Sequence, residues 1–147
     1  PMANSAYIVG LNAALDGTLD WDNGALDYSV AGLGVNSDGD PYPFDEDHLN
    51  YGDISDWVIG TAPITGRAVN GGYLQAANVS PGIVVPLTDP LTVITSLVVF
   101  RDNLPTEGTS FLVCYIDTTG GIPVYRPGDG SAVPIIWNAA GIQRLRP

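Results

Sequence analysis

Two apolar runs separated by a nine-residue polar corner constrain this chain most. They are TVITSLVVF (Thr92–Phe100) and SFLVCYI (Ser110–Ile116). Both are too short for typical helices and rich in Val, Ile, Leu and aromatic residues, so they read as β-strands. Each is apolar at odd and even positions alike. Successive strand side chains point to opposite faces, so such a strand needs protein packed on both of them. The two runs are therefore expected to be central strands, with a layer over each face. The run IPVY (Ile122–Tyr125) and the run VPIIW (Val133–Trp137) follow, set off by turns at Thr118–Gly121 and around Asp129-Gly130. Leu91–Leu145 thus reads as a set of consecutive strands.

The rest of the chain supplies the cover. Ile8, Leu11 and Leu15 fall at i, i+3 and i+7 and form one apolar stripe, which predicts a helix over Asn4–Asp16. Asn4 or Ser5 is placed to cap it and Gly17 to end it, while Gly10 weakens it by about 1 kcal/mol relative to Ala. Asp20–Gly24 is a turn. Leu26–Val35 alternates apolar and small or polar residues, as a half-buried strand does, with Gly32 and Gly34 marking a bulge or a close backbone approach. Asn70-Gly71-Gly72 is a hairpin signal between Pro63–Val69 and Tyr73–Val79. Pro81–Leu87 reads as extended, at an edge or a corner, because its prolines lack the ladder N–H. With 18 Gly and 12 Pro, about one residue in five is a turn former, which suits a chain that must reverse often. The expected fold is mainly β: a single β-sandwich or jelly-roll-like domain over residues 1–147, with one short N-terminal helix and a long acidic loop at 36–56.

Charge separates the chain into two parts. It carries 16 acids and 5 bases, net −11, and every base is an arginine. Residues 16–56 hold 11 of the acids and no base; the remainder holds five of each. A surface of this sign repels nucleic acid, so no nucleic-acid partner is expected. No apolar run reaches 18 residues and no basic segment precedes an apolar one, so neither a membrane helix nor a secretory signal is expected. The acidic third either keeps the protein solvated or faces a basic partner. Its long loop carries Tyr42, Phe44 and Tyr51 among the acids, and rings in a loop need something to pack on. Tyr42, Phe44, Asp45, Glu46, Asp47 and Tyr51 are the candidate partner contacts.

Catalytic and cofactor chemistry finds little footing. His48 is the one histidine and Cys114 the one cysteine. Cys114 lies mid-run, where a buried inert thiol is expected, and His48 is expected to be a structural residue bonded to a neighbour. No nucleophile elbow, lysine or phosphate-cradling glycine motif is present. No spacing singles out a carboxylate pair for glycoside hydrolysis. The stretches Asp38-Gly39-Asp40 and Asp45-Glu46-Asp47 offer hard oxygen ligands of the kind calcium takes. They depart from the EF-hand pattern, with Pro41 where its glycine would stand, and a solvated acidic loop is the plainer reading. Trp21, Trp57, Tyr42 and Tyr51 could form a sugar-stacking platform, although core packing is the commoner role of such rings. No enzyme, cofactor or metal site is expected.

Taken in order, a series of segments resembles a family of small structural proteins of tailed-phage virions, the capsid decoration or cement proteins. These segments are Asp16-Gly17-Thr18-Leu19-Asp20-Trp21, His48-Leu49-Asn50 with Asp53-Ile54, and Leu97-Val98-Val99-Phe100-Arg101-Asp102. They continue with Ser110–Asp117, Gly121-Ile122-Pro123-Val124, Asp129-Gly130 and Ile135–Leu145. Where the family carries a lysine before the apolar residues of its second strand, this chain has Asp27, and its 36–47 loop is more acidic. The resemblance implies a protein without catalytic residues, made in the host cytoplasm and seated on the capsid surface of the virion. It implies binding to the major capsid protein and self-association, as a homotrimer. The alternative expectation is a tail or fibre component that binds host-surface carbohydrate.

Overall fold

The computed structural model describes residues 4–84, 94–117, 132–137 and 142–144. It is mainly β, with several antiparallel sheets and one α-helix. The elements are β1 (Asn4–Ala6), α1 (Ile8–Asp16), β2 (Tyr28–Leu33), β3 (Val58–Pro63), β4 (Ala68–Asn70), β5 (Tyr73–Gln75) and β6 (Val79–Val84). They continue with β7 (Ser96–Arg101), β8 (Leu112–Asp117), β9 (Ala132–Ile135) and β10 (Gln143–Arg144). The expected turn at Thr118–Gly121, the run Ile122–Tyr125 and the turn at Asp129-Gly130 lie outside the described residues.

The central sheet has the order β1-β8-β7-β2-β3. The two apolar runs form β7 and β8, side by side inside it, and residues 96–100 are all buried. Alternation then assigns two faces. Val30, Leu97, Val99, Cys114 and Ile116 belong to one buried cluster; Ala31, Leu33, Val98, Phe100 and Leu112 belong to the other. A bulge makes this division possible: Val99 pairs with Cys114 but Phe100 pairs with Leu112, leaving Val113 as the extra residue in β8. The extra residue moves Leu112 onto the Tyr115 face, which a regular strand would not do. Cys114 is fully buried, and burial pushes its thiol up to about 12, so it remains a protonated core residue.

The first face is covered by two small sheets, β10-β5-β4 and β6-β9. Leu74, Val79, Ile83, Val133, Ile135 and Trp137 close onto it, giving a sandwich-like arrangement. The β4–β5 hairpin pairs Asn70 with Tyr73 across Gly71-Gly72, both at positive φ, the conformation a two-residue primed turn requires. Trp21 is also buried here, and its Nε1 donates to the Gln75 carbonyl at 2.9 Å. Arg67 fastens the preceding turn. Its guanidinium donates to the carbonyls of Trp21, Asn23 and Leu26 and lies over the Tyr28 ring, 4.9 Å from the centroid.

Two expectations are corrected, and the buried face of the helix is a further finding. The segment Asn4–Ala6 is not helical: it pairs with Ile116–Cys114 as an edge strand, so the helix starts at Ile8 after Tyr7, with no side-chain cap from Asn4 or Ser5. The stripe Ile8, Leu11, Leu15 does not face inward. Gly10 and Ala13 are the buried residues, while Leu15 is 87% exposed. The cause is the close approach of α1 to the bulge: a Cβ on Gly10 would stand 2.6 Å from the Val113 carbonyl oxygen. Only the smallest residues fit at that distance; Ile8 and Leu15 are exposed and Leu11 is half-buried. β2 is buried along its whole length rather than on one face, because Ala31 and Leu33 lie beneath a second cover and Ser29 donates to the Asp102 carboxylate at 2.7 Å. Gly17 ends the helix in the left-handed region as expected, and the register of β2 against β3 shifts at Gly32/Leu33.

Candidate functional site

The second cover is the acidic segment itself. Residues 34–57 lie over the Phe100 face of the sheet, with Tyr42 and Ile54 buried and Phe44, Tyr51 and Trp57 packed against them. The segment is held by main-chain bonds at both ends and in the middle. Gly34 N–H donates to Trp57 O at 3.0 Å and closes the two ends on each other, while in the middle Leu112 N–H donates to Leu49 O at 3.1 Å and Tyr51 N–H donates to Ser110 O at 2.9 Å. Asn50 and Asp53 form a reciprocal capping box around the 3-10 turn Tyr51–Asp53. Two backbone N–H groups, of Leu49 and Asn50, donate to the Asp53 carboxylate and hold its pKa below the usual carboxylate value.

A chain of three hydroxyl and imidazole groups runs inward from this layer. Tyr7 and Tyr42 share a hydrogen bond of 3.0 Å between their hydroxyls, and the Tyr42 hydroxyl meets His48 Nδ1 at 2.7 Å. Burial pushes Tyr42 up to about 12, against the hydrogen bonds from Tyr7 and the Asp45 backbone, which pull it down. Burial, and then Tyr42, raise Tyr7 far above its ordinary value. Both phenols are therefore neutral at physiological pH, and their hydroxyls act as a fastener rather than a store of charge. Tyr42→Phe should cost about 1 kcal/mol, measured by urea denaturation, because it leaves the buried Tyr7 hydroxyl without its partner.

Above this chain lies a cleft of about 460 Å³ lined by Pro43, Phe44, Asp45, Glu46 and His48. Its wall is built by local bonds. Asp45 O accepts from His48 N–H at 3.1 Å, and Asp45 Oδ1 accepts from Asp47 N–H at 2.9 Å, closing a turn that is started by an aspartate. Glu46 O accepts from Ile8 N–H at 3.0 Å, which ties the turn to the first residue of α1. The Phe44 ring stacks on Tyr115 at 4.8 Å and 30°, and tilts against Tyr7 at 5.2 Å.

The candidate contacts therefore separate. Phe44, Asp45 and Glu46 share one cleft. Asp47 is exposed beside them but does not line it. Tyr51 is half-buried on the Phe100 ring at 5.0 Å. Tyr42 is 7% exposed and belongs to the core, so its place among the surface contacts is corrected: its ring fills the space under the turn. The rings named for a sugar platform also turn inward. Trp21 and Tyr42 are buried, and Trp57, half-buried, packs edge-on against Tyr42 at 5.2 Å. Pro43 and His48 are the lining residues that sequence reasoning did not pick out. The Asp45 turn that brings His48 back beside Phe44 was the available signal. The two acidic stretches, 38–40 and 45–47, do not converge; among the described residues no three His, Cys, Asp or Glu side chains gather as a metal site.

A second, smaller cleft of about 280 Å³ opens between the end of α1 and the β4–β5 hairpin, floored by Leu19, Trp21, Val69 and Leu74 and edged by Asp20 and Asp22. Comparison with protein families, with curated proteins and with solved structures returned no match for this chain.

Proposed function

We propose that this protein is a capsid decoration protein of a tailed phage. It sits on the outer face of the major capsid shell as a homotrimer and stabilises it. One observation supports this reading above the others. The segment with the excess negative charge is a pinned layer, its rings turned into the core and Asp38, Asp40, Asp45, Glu46, Asp47, Asp53 and Asp56 turned out. A fixed acidic face suits repeated contact with a basic protein surface, since ordered charges lose little entropy on binding. The ordered resemblance to decoration proteins points the same way. The tail or fibre alternative has less support, because the rings it would use for sugar stacking are engaged within the protein.

Small proteins bound across capsomer boundaries add interface that must break before the shell does. Shells assembled with the protein should rupture at a higher temperature than shells without it, as read by light scattering on heating. Equal rupture temperatures would reject the stabilising role. Raising NaCl from about 0.05 M to about 1 M shortens the screening length from roughly 14 Å to roughly 3 Å. Most of the bound protein should then leave the shell in a sedimentation assay; retention at the higher salt would argue for an apolar interface.

A further inference from the structure

We propose that the cleft between Phe44 and His48 captures a cationic side chain, a guanidinium or an ammonium, presented by a protein partner. The inference takes the surface-contact reading as its premise and names the chemistry of one contact.

The cleft combines an aromatic wall with two carboxylates. The Phe44 ring is locked by Tyr115 and Tyr7, so it offers a fixed π surface to a cation. Asp45 and Glu46 are exposed at the cleft. One Asp45 oxygen accepts from Asp47 N–H, leaving Oδ2 free of that turn. The backbone beneath the carboxylates is pinned by the bonds to Ile8 and His48, so little ordering remains to be done on binding.

Among the described residues, this charge has no lysine or arginine counterpart nearby. No lysine or arginine precedes Arg67. Arg67 is spent on three carbonyls and two rings, and Arg101 lies over Tyr28, on the other side of the sheet's central strands from this cleft. Two carboxylates beside an apolar ring, with no lysine or arginine among the described lining residues, are complementary to a long basic side chain whose stem is apolar and whose head is charged. A neutral sugar would meet the ring but leave the net charge uncompensated.

The test uses the full chain and NMR titration with N-acetyl-arginine methylamide. N-acetyl-leucine methylamide and methyl α-glucoside serve as apolar and sugar comparators. The arginine probe should give saturable shifts at the Asp45–His48 amides and the Phe44 ring, with a dissociation constant of about 1–10 mM, as expected of a single weak contact. The double substitution Asp45→Asn with Glu46→Gln should weaken binding at least tenfold, roughly, while leaving the amide spectrum elsewhere unchanged. Phe44→Leu should weaken it about threefold. Absence of saturation, equal binding of either comparator, or indifference to the double substitution would overturn the proposal.

Shell binding separates this inference from its premise. If the arginine probe binds as described and the protein stays in the supernatant when capsid shells are sedimented, the decoration reading fails and the cationic cleft stands. If wild type and the double variant sediment with shells equally, the cleft's part in that contact fails and the decoration reading stands.

Discussion

Gly10→Ala should destabilise this protein by about 2 kcal/mol, against the usual direction for a helix interior. In an exposed helix the same change gains about 1 kcal/mol, because Ala loses less backbone freedom on folding. Here the added Cβ would stand 2.6 Å from the Val113 carbonyl oxygen, with Leu112 O and Val113 Cα each at 2.9 Å. All three are backbone atoms of a strand bonded on both sides, so none can swing away. The helix or the bulge must shift instead, and overpacking of this kind costs 1–3 kcal/mol or more. Leu15→Ala, five residues on and 87% exposed, should change stability by less than about 0.5 kcal/mol. Urea denaturation of the two variants checks both values. A gain in stability for Gly10→Ala would show that α1 does not lie tightly on β8.

The same helix shows where the residues speak for the fold and where they do not. The stripe Ile8, Leu11, Leu15 correctly marks a helix, and Gly17 correctly marks its end. Which side faces in was settled by something no periodicity carries, the one-residue bulge at Val113 and the closeness it imposes. The apolar runs that became β7 and β8 were legible because burial on both faces leaves no polar alternation. The turn at Gly71-Gly72 was legible because few residues tolerate its backbone. β1 was not, since three residues at a sheet edge carry no pattern of their own. The candidate site was half legible. Phe44, Asp45 and Glu46 stand together in the chain and in the cleft, yet Tyr42, two residues before Phe44, turns the other way. That choice depends on Tyr7 and His48, partners 35 and 6 residues away.

The acidic segment has the composition of a solvated loop and the packing of a structural layer, and these are two faces of one arrangement. Its carboxylates point to water, where charges are cheap to keep, while its rings replace the missing cover of the Phe100 face. A sheet face as apolar as Val98, Phe100 and Leu112 would otherwise be open. The loop therefore folds with the sheet, and the acids it carries are held in fixed positions, as a binding face needs.

Phe100→Ala should consequently cost about 3–5 kcal/mol, the largest effect among the substitutions considered. Phe100 is fully buried at the middle of the second face, and Tyr51 packs on its ring at 5.0 Å. Truncation removes the seat of the 3-10 turn Tyr51–Asp53 as well as the core volume. A domain of this size has a total stability of roughly 5–15 kcal/mol, so the loss is a large share of it. Two measurements distinguish the reasons. Chemical denaturation gives the cost, and limited proteolysis reports the segment 36–57. In the wild type that segment should resist cleavage as well as the strands do, because its opening requires the sheet face to be uncovered. In Phe100→Ala, cleavage between Asn36 and Trp57 should accelerate more than cleavage elsewhere. If the wild-type segment is cut quickly and Phe100→Ala costs less than about 1 kcal/mol, the segment is an appendage and its acids are not a fixed face.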